Sequence, residues 1–121
     1  MNTQITEDYC SFEVAKLLKE KGFNEPTCGY YHDDYMNTLL IATTSCHNGS
    51  INAIAAPTLQ MAMKWLREEK HIFIRIIQSN IEYCSCEIYF DRVRCHQFWK
   101  SFDSYEEACE AAIKYCLTNL I

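Results

Sequence analysis

The sequence predicts an α+β fold, a single domain over residues 1–121 with a mainly antiparallel sheet and three helices, in the order α-β-β-(β)-α-β-β-β-α. Three observations predict it. Apolar residues recur at helical spacing near both ends of the chain and once in the middle. Between them lie segments that alternate with a period of two and are rich in β-branched and aromatic residues. Runs of strands interrupted by helices, without regular β-α-β alternation, read as an antiparallel sheet and not as a doubly wound one. A length of 121 residues suits one domain, and 3 Gly with 2 Pro leave no linker or low-complexity tract.

The first helix is expected from about Asp8 or Ser11 to Lys21. Thr6 or Ser11 caps it, and Cys10, Val14, Leu17 and Leu18 give its apolar stripe. Gly22 fits the position after the helix, with Phe23 folding back on Leu18 in a Schellman motif. Cys28–His32 and Leu39–Thr44 read as strands. Asn48-Gly49 is the strongest two-residue hairpin signal in the chain and predicts pairing of Thr43–His47 with Ser50–Ile54. Pro57 is placed at the first position of the second helix, whose stripe is Leu59, Ala62, Met63 and Leu66 and which ends near Lys70-His71. Strands follow at His71–Gln78, Glu82–Phe90 and Arg94–Phe102. In the first two, Ile72, Ile74, Ile76, Cys84, Cys86, Ile88 and Phe90 face inward, and Phe73, Arg75, Ser85, Glu87 and Tyr89 face outward. The face of the third is open, because His96, Phe98 and Phe102 compete with Cys95 and Trp99. The last helix opens on a capping box from Asp103 or Ser104 to Glu106 or Glu107. It carries Tyr105, Ala108, Cys109, Ala112, Ile113, Cys116, Leu117 and Leu120 on one face.

Eleven Lys and Arg against sixteen Asp and Glu give a net charge of −5, which disfavours nucleic acid as a partner. No apolar run reaches the ~18 residues that span a bilayer, so no membrane is expected. Met1-Asn2-Thr3-Gln4-Ile5 has neither a basic nor an apolar leader region, so the expected compartment is cytoplasmic. There the eight cysteines stay reduced, and Cys84, Cys86, Cys109 and Cys116, on apolar faces, serve as small buried hydrophobes.

The motifs that carry chemistry are sparse. Cys84, Cys86, Cys95 and His96 have the residue types of a zinc site, but a one-residue gap on a strand does not give the usual Cys-x₂₋₄-Cys knuckle. They remain the alternative to no metal. His32-Asp33-Asp34 reads as a polar loop before it reads as a cation seat. No nucleophile elbow, phosphate-binding loop or dinucleotide fingerprint occurs, so neither a cofactor nor a catalytic residue is expected. Lys64, Arg67 and Lys70, near His71 and Arg75, form one basic patch; Arg92, Arg94, His96 and Lys100 form another. The order α-β-β-β-α from Pro57 to Ile121 resembles a double-stranded-RNA-binding domain in topology. Its last helix opens instead with Glu106, Glu107 and Glu110, which repel phosphate.

The aromatics Tyr30, Tyr31, Tyr35, Trp65, Phe73, Tyr89 and Trp99 exceed what a small core needs, and exposed aromatics with Arg make partner surfaces. The expected function is therefore a non-catalytic module that binds another protein or a second copy of itself. Tyr30, Tyr31, Trp65 and Arg67 are the binding candidates. The same residues also fit an interior role, Trp65 beside the second helix's stripe and Tyr30 under the first helix. A small enzyme or metal protein using the Cys and His residues is the first alternative, and a nucleic-acid binder the second.

Three stretches together carry a family resemblance: AKLLKEKGFNEPTCGYY (15–31), AAPTLQMAMKWLREEKHIFI (55–74) and FDSYEEACEAAIKYCLTNLI (102–121). They resemble small hypothetical proteins of unknown function encoded in Bacteroidetes genomes, prophages and related mobile elements. The resemblance implies a bacterial or phage accessory protein and assigns no activity to any residue. Residues 37–55 and 76–100 depart from the pattern.

Overall fold

The computed structural model describes residues 5–35, 37–78, 83–98 and 101–121. Among these it holds three helices and six strands: α1 (Phe12–Glu20), β1 (Thr27–His32), β2 (Leu40–Ser45), β3 (Ala53–Ala55), α2 (Leu59–Lys70), β4 (Ile72–Gln78), β5 (Cys84–Phe90), β6 (Val93–Gln97) and α3 (Tyr105–Asn119). The fold is α+β, in the expected element order. It contains two separate antiparallel sheets, ordered β2-β1-β3 and β4-β5-β6. Glu82, Trp99 and Lys100, which the sequence places in strands or a basic patch, lie outside the described residues.

The helix ends obey local chemistry. Ser11 Oγ accepts from the Val14 N–H at the start of α1. At its end Gly22 takes φ +95°, with Phe23 N–H donating to Leu18 O (2.9 Å) and Gly22 N–H to Lys19 O (3.2 Å). This is the Schellman pattern. Pro57, expected at the first position of α2, lies outside the helix: Thr58 is the cap, its Oγ1 accepting from Met61 N–H, and Leu59 is the first helical residue. Pro57 stands one place before that cap and gives its carbonyl to Cys10 N–H (2.9 Å), which ties the chain entering α1 to the chain entering α2. Ser104 caps α3, and Glu107 reaches back to Asp103 N–H (3.1 Å).

The Asn48-Gly49 expectation fails. Strands β2 and β3 are not paired to each other; both flank β1. His47–Gly49 is a short 3-10 turn instead. Asn48 is spent on a tertiary staple, Nδ2 donating to Phe23 O (2.6 Å) and Oδ1 accepting from Ala55 N–H (2.7 Å). The two-residue hairpin loop lies elsewhere, at Asp91 (φ +51°) and Arg92 (φ +70°) between the paired Phe90 and Val93.

The main core lies between β4-β5-β6 and the helices. Ile72, Cys84, Cys86 and Ile88 meet Leu66 of α2 and Ala108, Cys109, Ala112, Ile113, Cys116 and Leu117 of α3, all buried. Tyr105, expected on the buried stripe of α3, is 41% exposed at its first turn. Strand β6 is shorter than the expected Arg94–Phe102; Phe102 rejoins the sheet only as a bridge to Cys84. Helix α1 touches α3 and β3 and so joins the small sheet to the body. Tyr31 seals that junction, its ring edge-on to Phe12 at 5.5 Å and its hydroxyl donating to Cys10 O (2.7 Å). Among the described residues, no helix is long and apolar enough to cross a membrane.

Candidate functional site

Strands β4 and β5 alternate from Ile72 to Ile76 and from Cys84 to Ile88, so one face of their sheet takes most of the apolar set; Phe90, expected inward, is 37% exposed at the end of β5. Helices α2 and α3 cover the apolar face. The other carries Phe73 beside Tyr89 and Arg75 beside Glu87, paired directly across the two strands. Arg94 of β6 stands opposite Tyr89, and Gln97 opposite Glu87. A register shift between Ile88 and Tyr89 re-aims β6 at this point.

Glu87 is the centre of the face. Only 8% of its side chain is exposed, although the face opens to solvent, because its neighbours lie over it. Arg75 Nη1 stands 3.4 Å from Oε1, Arg94 Nη1 stands 3.1 Å from Oε2, and the Tyr89 hydroxyl donates to Oε1 at 3.1 Å. Burial pushes the carboxyl's pKa up. The hydrogen bonds from Tyr89 and Arg94 and the charges of Arg75 and Arg94 more than offset this, so it ends below the ordinary value. Both guanidiniums stay more than half exposed, and each has donors beyond those that Glu87 accepts. Phe73, 47% exposed, stands next to them. The arrangement offers fixed N–H donors beside apolar area.

The four residues singled out from the sequence are not brought together. Tyr31 (6% exposed) and Trp65 (7%) are interior, the alternative role open to them. Tyr31 follows Tyr30 on a strand and so points to the opposite face. Trp65 packs edge-on against Phe23 at 5.5 Å, with Lys70 Nζ 5.5 Å over its ring. Tyr30 is half-buried and stacks on His47 at 4.4 Å; Arg67 is half-buried on α2. Arg75 and Arg94 stood in separate basic patches in the sequence and Glu87 on the outward face of its strand; what the sequence did not join is the group of three. The alternations of β4 and β5 put Arg75 and Glu87 on one face, and the register sets them opposite each other.

The alternative metal set is also dispersed. Cys84 and Cys86 are buried under α3, Cys95 is exposed, and His96 stacks on Tyr115 at 3.9 Å. Among the described residues, no group of three or more His, Cys, Asp or Glu side chains is placed to hold a metal ion. Burial pushes four of the thiols up: Cys86 and Cys116 to about 12, Cys109 to about 11, and Cys10 further still.

A cleft of about 700 Å³ opens where the N-terminal ends of α1, α2 and α3 converge. Asp8, Asp103, Glu106 and Glu107 line it, together with two further carboxylates. Glu13 pairs with Lys114 at 2.8 Å, and Glu110 accepts from Ser11. This acidic mouth lies at the start of α3, where an RNA-binding domain of the same strand and helix order would need cations.

No family model, curated protein or solved structure matches the chain.

Proposed function

We propose that this chain is a non-catalytic, cytoplasmic binding module that takes another protein on the outer face of β4-β5-β6. The resemblance to small proteins of Bacteroidetes genomes, prophages and mobile elements gives it the setting of an accessory protein. The observation that carries the reading is the buried Glu87 carboxylate on an uncovered sheet face. It fixes Arg75, Arg94 and Tyr89 in place before any partner arrives. Pre-ordered Arg and aromatic side chains lose little freedom on binding, and such residues dominate interface energetics. The non-catalytic part is supported by the raised thiols of Cys10, Cys86, Cys109 and Cys116 and by three of the four imidazoles. His47 stacks on Tyr30, His96 on Tyr115, and His32 lies against Tyr35 at 6.0 Å, which are packing roles.

The test is affinity capture from a bacterial host lysate with the native chain and with the double variant Phe73→Ser/Arg75→Ala. Arg94 and Tyr89 remain to satisfy Glu87, so the variant keeps its fold. A protein held by the native chain and lost from the variant, with the melting temperature unchanged, supports the reading. Equal capture by both overturns it, and capture of nucleic acid lost at raised salt moves the nucleic-acid reading ahead.

A further inference from the structure

We propose that the free edge of β2 is a self-association surface at which two copies pair antiparallel about a two-fold axis, turning two three-stranded sheets into one of six strands. This stands independently of the partner face on β4-β5-β6.

Strand β2 lies at the edge of its sheet, and none of Leu40–Ser45 is buried. Among the described residues it is paired with β1 alone. The ladder slips between Thr27↔Ser45 and Gly29↔Ile41, which leaves Ala42, Thr43 and Thr44 facing Cys28 alone. An edge strand offers a row of unpaired N–H and C=O groups. Proteins commonly blunt such edges with Lys, Pro or an inward charge, and Leu40-Ile41-Ala42-Thr43-Thr44-Ser45 has none of these.

Charge selects the occupant. The chain carries 11 cationic and 16 acidic residues, yet from Tyr35 to Met63 there is no Asp, Glu, Lys or Arg. Over most of their surface, two copies of a chain of net charge −5 repel each other. Across this stretch they meet without like charges. A strongly charged partner would lose hydration there and gain no ion pair in return. The same stretch holds exposed apolar side chains: Tyr35 and Ile41 at 60%, Leu39 at 36% and Ile51 at 92%. Antiparallel pairing is self-complementary, since a two-fold axis sets each donor against the matching acceptor of the same sequence. Six strands is also close to the usual sheet of about five or six.

The experiment is sedimentation equilibrium across a concentration series, with a reductant present so that the exposed Cys46 cannot cross-link the copies. The native chain is expected to dimerise. Thr43→Lys and Ala42→Glu place opposite charges on opposite faces of the strand, and each is expected to raise the dissociation constant at least tenfold. Both sites are exposed, and an unchanged far-ultraviolet spectrum confirms that each variant folds. Phe73→Ser/Arg75→Ala is expected to dimerise as the native chain does. A native chain that is monomeric up to about millimolar concentration overturns the proposal. So does a dimer that survives both β2 substitutions, or one that is lost through the Phe73/Arg75 pair instead.

Discussion

The sheets β4-β5-β6 and β2-β1-β3 have the same number of strands and the same antiparallel pairing, yet different forces hold them. The first lies under two helices and shares a continuous apolar interior with them. The second has a small seal of Ala15, Tyr31 and Ala56, and much of its support is polar. Lys19 Nζ reaches from α1 to Ser50 O and Ala53 O (3.3 and 2.8 Å), and Asn48 joins Phe23 to Ala55. Apolar burial is broad and tolerant, whereas point staples are local and directional. The difference teaches where cooperativity resides. Damage to the first sheet should unfold the chain, and damage to the second should loosen one region.

Leu117 tests the strong side. It is fully buried in α3 against the sheet, so Leu117→Asp places an unpaired charge in the core. A loss above about 4 kcal/mol is expected, a large part of the roughly 5–15 kcal/mol that holds a domain folded, read as a steep fall in melting temperature by circular dichroism. A variant that melts at the native temperature would show that α3 does not anchor this sheet.

Gly29 tests the weak side. A Cβ there would lie 2.7 Å from the backbone oxygen of Ala56 and 2.7 Å from the Tyr9 ring, closer than packed atoms come. Gly29→Ala should cost about 1–3 kcal/mol, with the added hydrogen exchange concentrated in β1 and β3. Exchange that rises equally in β4 and β5 would mean that the two sheets open as one.

Arg92 lies in the left-handed region at φ +70°, at a cost of about 1–2 kcal/mol to an L-residue. Arg92→Gly should therefore stabilise by about 1 kcal/mol and raise the melting temperature by roughly 4 °C. An unchanged or lower melting temperature would refute the strain at this turn.

The smallest effect is linked to pH. The folded Glu87 carboxyl titrates below its ordinary value of 4.5. Its stabilisation is thus full above that value and drains as pH falls through the folded one. Glu87→Gln should lower the urea midpoint at pH 7 and converge on the native chain in acid. A gap that persists in acid would assign the loss to packing instead of charge.

What the sequence made legible follows the same division. The alternations Ile72-Ile74-Ile76 and Cys84-Cys86-Ile88 and the stripe from Ala108 to Leu117 could be read because a large core enforces periodicity. In the small sheet little is buried, so local turn chemistry had to decide, and it misled. Asn48-Gly49 carries the strongest hairpin signal, but its amide is used 25 residues away at Phe23. The tightest hairpin uses Asp91-Arg92, a poor pair for positive φ, because the strands on either side fix the register. Tyr31 and Trp65 were ambiguous for a related reason. An aromatic on a short amphipathic element serves core or surface equally well until the neighbouring layer is known, and here α1 and Phe23 supply that layer. The Arg75–Glu87–Arg94 group depends on strand register, which alternation allows but no short motif announces.

The missing charges between Tyr35 and Met63 also decide how this protein can be observed. Lys21 and Lys64 are consecutive basic residues in the sequence, so trypsin releases residues 22–64 as one peptide carrying all of β1, β2 and β3. Amine-reactive cross-linkers find no anchor on that peptide except at its terminal Lys64. A lysine-based map of any assembly would therefore record neighbours of the helices and stay blind to the β2 edge. The thiol of Cys46, exposed one residue beyond β2, is the handle through which that edge can be seen.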